Sequence, residues 1–209
     1  MAKCVIFCAG GFTELLEPIA PEDLVIAADG GLAHLQKLNA EPQVILGDFD
    51  SLGFVPADAR VFPVEKDDTD AMLAVRHGLM AGYDQFLLYG TLDGPRLDHT
   101  VANFQTLQFL AERGATGYLI GVDYIATVVK NGTISFPSTA DGIISLFCMG
   151  EPAAGVTLKR LKYELDNAAL HAGHPLGVSN HFTGKPATVT IQNGSLLVLY
   201  DRAVGLCNR

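Results

Sequence analysis

From Cys4 to Ile120, short apolar runs alternate with stretches of helical period. The runs Cys4–Cys8, Leu24–Ala28, Val44–Leu46, Arg60–Val64, Phe86–Tyr89 and Tyr118–Ile120 are short and β-branched or aromatic, the mark of buried strands. Helices are predicted between them at about Gly31–Leu38, Thr69–Ala81 and Leu97–Arg113. In the last, Val101, Phe104, Leu107 and Phe109/Leu110 form an apolar stripe at spacings near three and four. Asp68 or Thr69 suits the cap of the middle helix, and Gly82 and Gly114 sit where helices should stop. Alternation of this kind predicts a largely parallel sheet covered by helices, a three-layer α/β domain.

After Gly121 the pattern changes. Tyr124–Val129, Thr133–Phe136, Ile143–Met149, Val156–Leu158, Ala187–Ile191 and Leu196–Tyr200 favour strands, and no helix of convincing length intervenes. Asn131-Gly132, Asp141-Gly142 and Asn193-Gly194 separate some of them, and such dipeptides accept the positive φ of hairpin turns. An antiparallel β-sandwich is expected here, giving domains at 1–121 and 122–209. No Ser/Pro/Gly-rich linker, repeat or low-complexity tract separates the two halves.

Composition narrows the function. Of 209 residues, 49% are hydrophobic and 18% charged, which is ample for a packed core, and the net charge is −9. A field of that sign disfavours nucleic acid and anionic membranes as partners. No stretch approaches the roughly 20 apolar residues of a membrane span, and the run that ends at Gly10 reads as a strand rather than a secretory leader. Cys4, Cys8, Cys148 and Cys207 form no Cys-x-x-Cys pair, and Cys4 and Cys8 share strand parity as small core hydrophobes. A reducing cytoplasm is the expected location.

Acidic motifs follow the predicted strands: Asp29-Gly30-Gly31 after the second and Gly47-Asp48-Phe49-Asp50-Ser51 after the third. Lys66-Asp67-Asp68-Thr69-Asp70 follows the fourth, and Asp93 through Arg96-Leu97-Asp98-His99 the fifth. Ligands of open α/β sheets bind outside the carboxyl ends of the strands. One motif alone suits a turn or a helix cap. Four at equivalent sheet ends repel one another unless a cation joins them, and Mg²⁺, which bridges one or two carboxylates to phosphates, matches that chemistry. The lack of a Cys/His cluster argues against zinc. There is no Gly-x-x-x-x-Gly-Lys-Ser/Thr loop and no Gly-x-Ser-x-Gly elbow, while Gly10-Gly11 is a weak candidate for backbone approach to a phosphate.

In order and spacing, these motifs resemble the thiamine pyrophosphokinases. So do Thr100-Val101-Ala102-Asn103 after Arg96–His99, the segments 161–167 and 177–180, and the closing 189–198. The resemblance covers nearly the whole chain. It implies pyrophosphoryl transfer from ATP to the thiamine hydroxyl with loss of AMP, Mg²⁺ as cofactor, and a homodimer. Each active site would lie between the α/β domain of one subunit and the β domain of the other. It implies that Asp48, Asp50, Asp70 and Asp98 organise the metal, with Asp70 or Asp98 available to accept the hydroxyl proton. Asp29, Gly30, Lys66, Thr69, Arg96 and Asn103 would surround the nucleotide, and Ser179 and Asn180 would hold thiamine. Two departures stand out: Pro95 replaces a glycine common before the Arg, and the chain has no Trp, so Val198 falls near the eukaryotic stacking position and Tyr163 becomes a substitute. The acidic motifs alone also fit a phosphohydrolase, a nucleotidyl transferase or a non-catalytic thiamine- or nucleotide-binding module.

Overall fold

The computed structural model describes residues 2–49, 55, 59–63 and 67–207. Two compact units emerge, Met1–Val122 and Asp123–Arg209.

The first unit runs β1 (Cys4–Phe7), β2 (Leu24–Ala28), α1 (Leu32–Leu38), β3 (Val44–Gly47), β4 (Arg60–Val61), α2 (Asp70–Met80), β5 (Gln85–Tyr89), α3 (Leu97–Glu112) and β6 (Thr116–Ile120). Its strands pair in parallel in the order β6-β5-β1-β2-β3-β4. Register and side-chain parity fix the layers. Cys4, Phe86 and Gly117 lie side by side across β1, β5 and β6. A Cβ at Gly78 of α2 would come 2.7 Å from Cys4 Sγ and 2.6 Å from Phe86 Cε1, and one at Gly117 would come 2.6 Å from Leu110 of α3. Helices α2 and α3 therefore share one face. Phe7 and Tyr89, three residues further along their strands, point the other way. There they meet Phe12, whose ring lies 5.2 Å from His34 of α1. The sheet is thus sandwiched, as right-handed crossovers stepping outward in both directions require. Phe7, Phe86, Leu88, Tyr89, Leu107, Leu110 and Leu119 are all but inaccessible, and each such side chain contributes roughly 1.5–3 kcal/mol of transfer free energy.

The α3 stripe forms in part as its apolar spacing predicts, with Leu107 and Leu110 buried, but its first turns differ. Asn103, Thr106, Leu107 and Leu110 are buried, while Val101 and Leu97 are exposed. Two polar residues enter the buried face because both are bonded: Asn103 Nδ2 donates to the Thr91 carbonyl at 2.8 Å, and Thr106 Oγ1 to that of Ala102 at 3.1 Å. The helix signals correspond well to what forms. Thr69 caps α2, its Oγ1 accepting from Met72 N at 3.2 Å, and Gly82 and Gly114 follow α2 and α3 with φ of 91° and 74°.

The second unit contains β7 (Tyr124–Lys130), β8 (Thr133–Phe136), β9 (Ile143–Cys148), β10 (Ala153–Lys159), β11 (Leu165–Leu170), β12 (Gly177–His181), β13 (Ala187–Thr190) and β14 (Ser195–Asp201). Antiparallel pairing gives the orders β12-β9-β14-β7 and β11-β10-β13-β8. Phe136 of the second sheet lies 5.2 Å from Tyr200 of the first, both buried, so the inner faces interlock as a sandwich. Among the described residues, no helix is long and apolar enough to cross a membrane.

Gly31 marks the closest approach in the first unit: a Cβ there would stand 1.9 Å from the carbonyl oxygen of Phe7. Because that neighbour is backbone, Gly31→Ala is expected to cost about 1–3 kcal/mol or more, lowering Tm by several degrees. A thermal melt indistinguishable from the parent's would refute the contact.

Candidate active site

The chain order reverses direction between β1 and β5: strands β2 to β4 step to one side of β1, and β5 and β6 to the other. Connections that diverge in this way open a crevice at the carboxyl ends of the two strands. A cavity of about 540 Å³ lies there. Cys8, Ala9 and Gly10 line it beyond β1, Ala28 and Asp29 at the end of β2, and Asp48 after β3. The start of α2 contributes Asp68, Thr69 and Asp70, and the loop after β5 contributes Gly90, Thr91, Gly94, Pro95 and Arg96. Helix α3 adds His99, Thr100 and Asn103.

Glycines let these segments close on one another. Gly90, at φ 69°, sits where a Cβ would come 2.2 Å from the Cys8 carbonyl oxygen. The N–H groups of Gly10 and Gly11 donate to the carbonyls of Gly90 at 2.9 Å and Asp93 at 3.1 Å. The Gly pair singled out for phosphate contact thus ties the first loop to the fifth instead. His34 Nε2 lies 2.8 Å from the Gly10 oxygen, which pins the same loop from α1. The loop before α3 is held at three further points: Val122 N donates to Asp93 Oδ2 at 2.7 Å, Asn103 bonds Thr91, and Thr91 Oγ1 donates to the Leu88 carbonyl at 3.1 Å. Pro95 is accommodated in this loop, and Arg96 follows as the first residue flanking α3.

The acidic residues divide. Asp29, at φ 46°, takes the left-handed conformation that Asp tolerates better than most residues. Gly47 packs against its backbone, a Cβ at Gly47 lying 3.0 Å from Asp29 Cα. Asp29 and Asp70 are both near enough to Cys8 to act on its thiol, which is pushed up to about 12 by burial first, then by the Asp70 and Asp29 charges. Cys8 is therefore more than the core filler its parity predicts: it lies in the wall of the crevice. Asp98 stands apart, exposed and outside the lining, with Arg96 Nη2 2.6 Å from its Oδ2 and Nε 3.0 Å from its Oδ1. Hydrogen bonding from Arg96 holds the Asp98 carboxyl down at about 2. Asp50 and Lys66 lie outside the described residues.

The donors suit a hard cation, since four of the lining residues, Asp29, Asp48, Asp68 and Asp70, are carboxylates. Among the described residues no three His, Cys, Asp or Glu side chains gather as a metal cage. Mg²⁺ bound through one or two carboxylates and substrate phosphates needs no such cage, so the residues fit it.

In the second unit, Ser179 sits at φ 59° where the β9–β12 register shifts, its N–H donating to Ser145 Oγ at 3.1 Å. Such bulges re-aim side chains, and Ser179 is exposed. Asn180 is buried, and its amide is engaged: Oδ1 accepts from Tyr163 N and His181 N at 2.9 Å, and Nδ2 donates to the Tyr163 carbonyl at 2.7 Å. The exposed Tyr163 is thus clamped through its own backbone. Sequence reasoning missed Cys8 and Asn180's clamping role; position just past a buried strand was the available signal for the first.

Comparison with known proteins completes the picture. Residues 17–118 match the family described as thiamin pyrophosphokinase, catalytic domain, and residues 131–198 match thiamin pyrophosphokinase, vitamin B1 binding domain. The thiamine pyrophosphokinase of Bacillus subtilis is 26% identical over 211 residues, covering 94% of this chain and 98% of that protein. Its crystal structure superposes with a TM-score of 0.81 at 24% identity, covering 96% of this chain and 99% of that one. The thiamin pyrophosphokinase structure from Geobacillus thermodenitrificans gives 0.77 at 26% identity, with 96% and 97% covered. That from Candida albicans gives 0.76 at 15% identity, with 96% and 88% covered.

The Arg96–Asp98 pair generates a pH prediction. Its folded carboxyl titrates below the ordinary value of about 3.9, so any stability from the pair is present above pH 4 and lost as pH falls through about 2. Carbon-detected NMR titration should place the Asp98 midpoint near 2 and return it to the ordinary range in Arg96→Gln. An unchanged midpoint in that variant would refute the pairing.

Proposed function

We propose, because this chain belongs to the thiamin pyrophosphokinase family, that it transfers a pyrophosphoryl group from ATP to the hydroxyl of thiamine, giving thiamine diphosphate and AMP. The observation that carries this reading to particular residues is the single crevice that gathers Asp29, Asp48, Asp70 and Arg96 from separate loops at the carboxyl edge of the parallel sheet. The family match leaves the phosphohydrolase, nucleotidyl-transferase and non-catalytic readings unfavoured.

ATP is assigned to the first unit. Phosphoryl-type transfer asks a protein mainly for alignment and charge stabilisation. Asp48 and Asp70, together with Asp50, would hold Mg²⁺ against the triphosphate. The ion, when bound, supplies charge neutralisation at the phosphates and the AMP leaving group. Arg96 offers a planar, permanently charged fork to phosphate oxygens, and Lys66 a point charge. Asp98 aims that fork, since it holds both Nε and Nη2. Asp29 and Thr69, which line the crevice, would border the nucleotide together with Gly30, and Asn103 fixes the loop beside it through Thr91. Asp70 is the better placed of the two proposed proton acceptors, because it faces the crevice and Asp98 does not. Alignment of two bound substrates can lower a barrier by roughly 7–11 kcal/mol, so position outweighs the base.

Thiamine is assigned to the second unit, where Ser179 would contact it and Asn180 would act through Tyr163. The exposed Ile143, Phe147 and Val178 near Ser179 are apolar surface of the kind a second subunit covers, so a homodimer is proposed, with each site completed by the partner's second unit. The four free thiols suit the cytoplasm.

Incubation of the pure protein with ATP, Mg²⁺ and thiamine should yield AMP and thiamine diphosphate, whereas ADP or free phosphate as the product would sink the reading. Asp48→Asn and Asp70→Asn should each lower turnover by about two or more orders of magnitude with the melt unchanged. Full activity of both at saturating Mg²⁺ would remove the metal role. Ser179→Ala should raise KM for thiamine more than KM for ATP. Equal effects on the two, or a monomer in sedimentation, would count against the shared site.

A further inference from the structure

Asp68 brings a fourth carboxylate to a crevice that must admit a polyphosphate. A cation is built against it. Arg76, two turns along α2, donates from Nε to Asp68 Oδ2 at 2.8 Å, with Nη2 3.5 Å from Oδ1. The guanidinium is itself seated: its Cζ lies 4.6 Å from the ring centroid of Phe109 on α3, and Arg113 Cζ lies 3.4 Å from the same centroid. Contact with an aromatic face holds the guanidinium beside the carboxylate it grips. The pair is only partly exposed, Arg76 at 46% and Asp68 at 30% of side-chain area.

We propose that Arg76 is a positioning residue for the nucleotide site. Held on Phe109, it neutralises and turns Asp68, so that the rim beside α2 admits the triphosphate instead of repelling it. This rests on the assignment of ATP to the crevice. Loss of Arg76 leaves Asp68 as a bare anion beside an anionic ligand, whereas Asp29, Asp48 and Asp70 are unaltered. The penalty falls on ATP binding, not on thiamine and not on the transfer step.

The test is calorimetric titration of the full chain with Mg·ATP, without thiamine, plus steady-state kinetics. Arg76→Met is expected to weaken ATP binding by about three- to tenfold, the scale of one partly screened charge. KM for ATP should rise with it, while kcat and KM for thiamine hold. The double variant Arg76→Met/Asp68→Asn should restore ATP affinity to within about twofold of the parent, because the offending charge is gone. Parent-like binding by Arg76→Met, or a double variant as weak as Arg76→Met, would overturn the proposal and leave Arg76 a structural residue. Should Arg76→Met fail to fold, Asp68→Asn alone decides: with Arg76 unopposed, ATP should bind more tightly, and unchanged or weaker binding overturns it. Failure of the parent to bind Mg·ATP at all would instead sink the nucleotide assignment itself.

Discussion

Backbone approach at the carboxyl edge of the parallel sheet is the constraint on which the rest of this structure depends. Gly31 meets the Phe7 carbonyl and Gly90 meets that of Cys8 at distances no side chain permits. Those two contacts draw the loops after β2 and β5 onto the end of β1. A crevice lined by several strand ends follows from that closeness. The hydrogen bonds of Gly10, Gly11, Asp93 and Asn103 then fasten the loops where the glycines let them fall. Carboxylates far apart in sequence become neighbours because main chain, rather than side chain, was allowed to pack.

The second consequence is electrostatic. Bringing Asp29, Asp48, Asp68 and Asp70 to one opening costs repulsion, and the chain meets it in more than one way. Asp68 is matched internally by Arg76, and Asp98 is drawn off to Arg96 outside the lining. The carboxylates left facing inward are those suited to a divalent ion. Two of the acidic residues near the sheet edge are thus gripped by guanidinium groups, Asp68 by Arg76 and Asp98 by Arg96.

Much of the fold was legible in the sequence because most of its strands are buried and α2 and α3 end on glycine. Leu24–Ala28 and Thr133–Phe136 form with the bounds their apolar runs give. Strands β11 and β12 escaped notice because polar pairs, Asp166-Asn167 and Ser179-Asn180, interrupt them in place of a continuous apolar run. The α3 face was read in part: Leu107 and Leu110 are buried as their spacing implies, whereas Val101 is exposed and Asn103 and Thr106 enter the interior on the strength of hydrogen bonds that no one-dimensional pattern records. The same blindness applies to the crevice. Motif spacing singled out Asp29, Asp48, Asp70 and Arg96, which line the crevice, but not that the Asn180 amide would be spent on Tyr163.

The thiol in the crevice wall has a chemical corollary. With its ionisation pushed up to about 12, Cys8 holds its proton throughout the physiological range. Burial thus disfavours the thiolate, which is the reactive form toward peroxide and alkylators. The crevice thus carries in its wall a sulfur disposed to stay protonated. A covalent inhibitor aimed at that sulfur would find an unwilling nucleophile, and competitive chemistry directed at the carboxylates and Arg96 offers the better route.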